Sequence, residues 1–299
     1  MSIQLFVADA VVRVTMKRRF RQSGTVMTLR TIMDDLARRA RRAPKHIQVS
    51  TISLGGVRTE RLQPDMADEK RALLYIHGGG FVAGHPANHR QLTWRLAEKT
   101  NMPVYAIDYR LAPEHPYPAA LDDAVTAYRT LLDKGVAPQR IAVGGDSAGG
   151  NLTLALALKL KELGLPQPAA LVCLSPVTDL AEPTYSHEAN AQSDAMFDAS
   201  IFDSVPAAYC PGHDVRDPFI SPLRGNVSGL PPTLFQCSQT EMLRDDTTRM
   251  AERMRQAGVD VNVEVWPKVF HVWQVAADVL PEGRKAIDNI AAFLNARLR

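Results

Sequence analysis

The spacing of apolar residues changes along the chain, and each change marks an element. Residues 1–45 read as helical: Val26, Leu29, Ile32, Met33, Leu36 and Ala40 recur at helical spacing, with Arg30, Arg38, Arg41 and Arg42 mostly between them. Pro44 closes the segment. Val49–Leu54 and Val57–Leu62 then flank Gly55-Gly56, the signature of a two-residue hairpin. Short apolar runs predict further strands at Ala72–Ile76, Val104–Ile107, Arg140–Gly144, Ala169–Leu174, Thr233–Cys237 and Val261–Trp266. Helices are predicted between and after them over His89–Thr100, Ala119–Lys134, Ala148–Leu163, Arg244–Ala257 and Glu282–Arg297. In Ala119–Lys134 the apolar residues Leu121, Ala124, Val125, Tyr128, Leu131 and Leu132 form one face, whereas Ala148–Leu163 is so strongly apolar that it must be buried.

Strands separated by crossover helices imply an α/β fold: a mostly parallel eight-stranded sheet with helices on both faces. Residues 180–230 break the alternation. They are polar, proline-studded and weakly periodic, which reads as an insertion over the carboxyl edge of the sheet, where ligands bind in such folds. The expected organisation is therefore an N-terminal helical segment, 1–45, and a main domain, 46–299, with 180–230 inserted into it.

Composition narrows this picture. With 45% hydrophobic and 22% charged residues among 299, the chain is neither disordered nor fibrous. No stretch approaches the eighteen apolar residues of a membrane span. The net charge of +3 conceals an asymmetry, because residues 1–45 hold eleven basic and three acidic residues, +8, leaving −5 for the rest. A basic arm can attract nucleic acid or an anionic membrane. This one lacks interleaved aromatics, so nucleic acid is not expected, and solvated faces of surface helices are. Cys173, Cys210 and Cys237 are far apart and form no CxxC pair, so neither a zinc ribbon nor a disulfide framework is indicated. The apolar run Ile3–Val12 precedes the basic cluster, the reverse of a secretory signal, and a cytoplasmic location is expected.

Candidate chemistry centres on Gly145-Asp146-Ser147-Ala148-Gly149, with Gly144 before it and Gly150 after it. It follows a predicted strand and opens a predicted helix, the context a GxSxG nucleophile elbow requires. Small neighbours let Ser147 project its hydroxyl at a sharp turn, and the helix N-terminus aims free N–H groups at the reacting carbon. Directly after the strand Ala72–Ile76 comes His77-Gly78-Gly79-Gly80-Phe81. A glycine loop there can bring backbone N–H groups close to a developing oxyanion. Gly79, Gly80 and Ala148 are the expected donors, with His77 orienting the loop.

A serine hydroxyl needs a base. Of eight histidines only His271 falls after the last strand and before the closing helix, where this fold places it. The acidic partner belongs after the preceding strand, where Glu241, Asp245 and Asp246 compete. Glu241 sits at the strand's end, whereas Asp245 and Asp246 begin a helix, where acids often serve as caps. Glu241 is therefore the expected acid, holding the imidazole tautomer, and Asp146 a supporting residue. His85 and His89 are four apart, but no third ligand stands near and no metal is expected.

These motifs, together with Asp108-Tyr109-Arg110-Leu111-Ala112-Pro113-Glu114 and Leu243-Arg244-Asp245-Asp246, resemble the hormone-sensitive-lipase-like family of α/β-hydrolases, its microbial esterase branch. The resemblance spans about residues 45–297. It implies the α/β-hydrolase fold, hydrolysis of short-chain carboxylic esters of small molecules, no cofactor, and a cap built from 1–45 and 180–230. Many members carry Asp-Pro-Leu in the acid loop where this chain has Glu241-Met242-Leu243, and a branch of the family is similar in placing glutamate there. The stretch Asp108–Glu114 is expected to brace the floor of the site.

The same site would serve a cyclic ester or an acetylated metabolite. A binding protein on a dead scaffold is a different class; the plant gibberellin receptors resemble the family yet lack the histidine, which is present here as His271. Lipase action on long-chain fats would need a large exposed apolar surface near the cap, which the arginine-rich N-terminal segment argues against. Stable membrane insertion is not expected. Val261–Trp266, read as an exposed edge strand, offers a pairing edge for a homodimer.

Overall fold

The computed structural model describes residues 2–18 and 25–298. Its frame is an eight-stranded sheet in the order β1-β2-β4-β3-β5-β6-β7-β8. The strands are β1 Ile47–Leu54, β2 Val57–Pro64, β3 Ala72–Ile76, β4 Val104–Ile107, β5 Ile141–Asp146, β6 Ala170–Leu174, β7 Thr233–Ser238 and β8 Val261–Trp266. Only β1–β2 and β2–β4 pair antiparallel; all other neighbours are parallel. The predicted hairpin forms with Leu54 opposite Val57, and Gly55 and Gly56 take φ of +62° and +96°, the positive angles a two-residue turn demands.

Successive side chains of the central strands face opposite ways, and both faces are buried. Leu74, Ile76 and Val143 pack with Leu121 and Tyr128 of α4 (Ala119–Asp133) and Leu152 and Leu156 of α5 (Ala148–Glu162). Leu73, Tyr75, Ala142 and Val172 pack with Leu92 and Leu96 of α3 (Pro86–Thr100) and Ile287, Ile290 and Leu294 of α9 (Pro281–Arg297). Burial on both faces explains why these strands read as continuous apolar runs. The helix α5 is buried from Ala148 to Leu158, as its composition predicts. α8, Arg244–Gln256, crosses from β7 to β8. All three cysteines are buried, and desolvation raises the Cys173 thiol above its usual range.

The N-terminal segment contributes α1 (Ile3–Val12), which continues through a π-helical turn, Arg13–Lys17, and α2 (Val26–Arg38). The predicted helical spacing is realised in α2, where Leu29 and Ile32 are buried and Leu36 is half exposed. Between β6 and β7 the chain forms α6 (Tyr185–Ala189) and α7 (Ile201–Tyr209). No helix among the described residues is long and apolar enough to cross a membrane.

Candidate active site

The chain turns from β5 into α5 at Ser147, with φ +54° and ψ −119°. That backbone is strained for any residue with a side chain. It is held from both sides: Ser147 N donates to Leu174 O at 2.8 Å, and Asn151 N donates to Ser147 O at 3.0 Å. The small residues around it are a packing requirement. A Cβ on Gly149 would lie 2.0 Å from Ile76 O, and one on Gly145 2.3 Å from Gly149 O. Ala148 is the first residue of α5, so its N–H has no acceptor within the helix.

The loop after β3 lies directly against this elbow. A Cβ on Gly78 would meet Asp146 Oδ2 at 2.2 Å and Ser147 Cβ at 3.1 Å. Gly79 adopts φ +126° and its carbonyl accepts from Val82 N and Ala83 N, which curls the loop back on itself. Three contacts brace the loop from behind. Ala112 N donates to Phe81 O at 3.0 Å, Tyr109 Oη donates to His77 O at 2.9 Å, and Arg30 of α2 donates through Nε to Val82 O at 2.6 Å. Arg30 also donates to Ala112 O and binds Glu114. The stretch 108–114 thus has the bracing role expected of it, and Arg30 ties it to the N-terminal segment.

Behind the elbow lies a buried polar cluster. Asp146 accepts from Tyr75 Oη at 2.8 Å and bonds His89 Nε2 at 3.1 Å. Burial alone would raise its pKa, but His89 and the hydrogen bonds from His89 and Tyr75 outweigh burial and hold it below the usual carboxylate value. His77 stacks between His89 and Tyr109, at centroid distances of 5.7 and 4.4 Å. Its Nδ1 donates to Gly78 O at 2.8 Å. Burial, reinforced by His89, depresses His77 to about 3, so it is neutral at physiological pH. His85 instead caps α3, its Nδ1 accepting from Ala87 N, and it does not join His89 as a ligand pair.

At the next strand ends, His271 Nδ1 meets Glu241 Oε2 at 2.7 Å, with both residues almost wholly buried. A carboxylate only accepts, so Nδ1 is the donor, and in the neutral imidazole the lone pair lies on Nε2. The other carboxylate oxygen, Oε1, accepts from Ser238 N at 2.8 Å and Ser175 Oγ at 2.9 Å. His271 is followed by Val272 at φ +54°, a strained angle for a β-branched residue. Asp245 and Asp246 point elsewhere. Asp245 accepts from Ser186 N, and Asp246 accepts from Thr178 N and bonds His187 Nε2, so both fasten the start of the inserted region.

Ser147, Gly78, Gly79, Gly80, Ala148 and His271 all line one cavity of about 880 Å³. Its remaining walls are mainly apolar. Val12 comes from α1, Met16 from the turn after it, Leu29 and Ile32 from α2, and Phe197, Ile201 and Phe202 from the inserted region. The Phe197 ring lies 4.5 Å from the His271 ring.

Comparison with known proteins assigns the class. The profile of the alpha/beta hydrolase fold matches residues 73–275, and the chain belongs to that family. It is 41% identical to an acetyl-hydrolase of Streptomyces hygroscopicus over 81% of each chain, and 34% identical to an esterase of Acinetobacter venetianus over 96% of this chain and 95% of the other. A crystal structure of an esterase from the bacterial hormone-sensitive lipase family superposes with a TM-score of 0.93 at 37% identity, covering 100% of this chain and 99% of that one. Within the α/β-hydrolases the protein therefore stands with the bacterial hormone-sensitive-lipase-like esterases, as a carboxylic ester hydrolase.

The sequence singled out Ser147, Glu241, His271 and the glycine loop, and all of these lie around or behind one cavity. It did not single out Tyr75, Ser175, Asp194, Phe197 or Arg30. Their partners are distant in the chain, and no local pattern marks them. His89 was visible only as half of a possible metal pair.

Proposed function

We propose that the protein is a serine carboxylesterase acting on short-chain esters through an acyl-enzyme. The observation that carries this reading is the convergence on one cavity of a strained serine at a helix N-terminus and a histidine bonded to a buried glutamate at 2.7 Å. His271 Nε2 takes the proton of Ser147 as Oγ bonds the carbonyl carbon. The carbonyl π electrons move to oxygen, and the N–H groups of Gly79, Gly80 and Ala148 stabilise that charge. The bond to the alkoxy oxygen then breaks, and His271 protonates the leaving alcohol. Water, deprotonated by His271, repeats the addition on the acyl-enzyme. The acid leaves and Ser147 recovers its proton. Glu241 holds the imidazole and stabilises its cation throughout.

In this reading, 1–45 and 180–230 form a cap, and those of its apolar residues that line the cavity receive the acyl chain. His77 and Asp146 act indirectly, by fixing the glycine loop and the elbow. The acetyl-hydrolase relative favours one narrower reading, deacetylation of an acetylated metabolite by the same site.

Both readings predict that Ser147→Ala abolishes turnover of p-nitrophenyl esters from acetate to laurate while the protein stays folded. Wild-type turnover peaking at short acyl chains supports the general esterase, and turnover confined to acetate supports the deacetylase. Wild-type turnover retained in Ser147→Ala would sink both.

A further inference from the structure

The first helix has two apolar faces. On one, Leu5 packs with Phe270, Trp273 and Leu280, and Met16 joins the main core. The other face bears Ile3, Phe6, Val7, Ala10, Val11 and Val14, a stripe at helical spacing. There Ile3, Phe6, Val7, Val11 and Val14 are exposed by 82, 68, 54, 53 and 60%. A helix that is apolar all round normally lies buried, and a contiguous exposed apolar surface marks a docking site. The arginine-rich composition of the segment argues against such a surface, yet α1 has one. It also adjoins the cavity: Val11 belongs to the stripe and to the cavity lining, and the exposed residues Leu36, Arg39 and Arg41 line the cavity too.

Charge selects the occupant. The stripe belongs to a segment with eleven basic and three acidic residues, and the exposed Arg18 follows it closely in sequence. A second copy docked stripe to stripe would bring two segments of +8 together. An anionic bilayer instead takes the apolar side chains into its acyl boundary and pairs its headgroups with the cations. The helix is too short to span, so it would lie in the plane of the interface and bind reversibly.

We propose that the Ile3–Val14 face of α1 and the turn that continues it docks on an anionic lipid bilayer and sets the cavity beside the membrane surface. Docking is read without turnover, so it stands or falls separately from the esterase mechanism. The test is co-sedimentation of the full chain with vesicles of phosphatidylcholine alone or mixed with phosphatidylglycerol, at low and physiological salt. The expected result is binding to the mixed vesicles, weakened by salt. A triple Ile3→Gln, Phe6→Gln, Val7→Gln variant, which keeps the net charge, should bind at least tenfold more weakly and hydrolyse soluble p-nitrophenyl acetate normally. Hydrogen exchange on the wild type provides a second readout that needs no variant, with vesicle-induced protection expected over residues 3–14. Three outcomes overturn the proposal. One is no binding to either vesicle. Another is equal binding by variant and wild type with no protection of the helix. The third is a wild-type dimer that ignores vesicles and becomes monomeric in the variant, which would give this face to a second copy.

Discussion

Replacing Gly79 by alanine isolates the contribution of the glycine loop. Two costs are built into the position. At φ +126° an L-residue is strained by about 1–3 kcal/mol. The new Cβ would also lie 2.0 Å from Ala83 O, where contacts under 3.0 Å essentially never occur, so about 1 Å of movement is required. Ala83 cannot yield cheaply. Its N–H is bonded to Gly79 O, the preceding carbonyl is held by Arg30, and Gly84 behind it is packed against Gly78 O and His77 Nδ1. The displacement therefore falls on Gly79 and its N–H. Losing one preorganised oxyanion donor costs about 10²–10³ in kcat, and a 1 Å misplacement has an effect of about 10². The control is Gly56→Ala in the β1–β2 turn. Its φ of +96° imposes backbone strain, but nothing lies within 4 Å of the added Cβ. Measured with p-nitrophenyl butyrate and by thermal unfolding, both variants should lose stability, and only Gly79→Ala should lose kcat, by about 10² or more. A kcat within about threefold of wild type for Gly79→Ala would refute the reasoning. So would an equal loss in Gly56→Ala.

Two further outcomes follow from the site. Glu241→Gln should lower kcat on the order of 10³–10⁴-fold with little change in KM, because an amide can donate to Nδ1 and favour the wrong tautomer. Steady-state kinetics checks this, and a loss under tenfold would remove Glu241 from the mechanism. His77 is held at about 3 in the fold against 6.5 in the unfolded chain, so between those values only the unfolded state binds its proton and stability falls as pH falls. Asp146, held below its usual 3.8, keeps its contribution until pH falls to about that value. Between pH 6.5 and 5 the His77 contribution amounts to about 2 kcal/mol, at ~1.4 kcal/mol per unit. Urea unfolding should show His77→Asn losing that much less than wild type on acidification, and parallel losses would contradict the burial argument.

The central strands were legible because they meet water on neither face, and the crossover helices because they keep a helical period. Errors fall where tertiary pairing overrides local preference. β5 runs on to Asp146, beyond the predicted end at Gly144, because Gly145 and Asp146 pair with Cys173 and Leu174 of β6. α3 starts at Pro86 rather than His89, with proline at the first helical position and His85 as its cap. Within the site, motif and chain order single out Ser147, the glycine loop, His271 and Glu241 as candidates. What fixes those groups is illegible. Tyr75 and His89 reach Asp146 from 71 and 57 residues away, and Ser175 reaches Glu241 across 66. Such pairs leave no periodic or spacing signal in one sequence.

The distant supports share one logic, most visible at Asp194. This buried carboxylate accepts from Met196 N and Phe197 N through Oδ1 and from Met242 N through Oδ2. Met242 adjoins Glu241, and Phe197 lies against His271, so one side chain sets both the acid loop and the wall beside the histidine. Asn190 adds a bond to Glu241 O and Ser193 one to Thr240 O. The same turn is tied to the N-terminus, since Arg13 donates to the carbonyls of Gln192, Ser193 and Asp194, and Lys17 to those of Ala191 and Asp194. At the opposite wall Arg30 holds the glycine loop through Val82 O and Ala112 O. The π-helical turn after α1 therefore braces the Glu241 loop, and α2 braces the glycine loop. Hydrogen bonds involving charged groups are worth about 1.5–3 kcal/mol each, so moving the N-terminal segment as a body would break contacts behind both walls at once. The basic residues that give this segment its +8 charge thus include Arg13, Lys17 and Arg30, which act inward on the site.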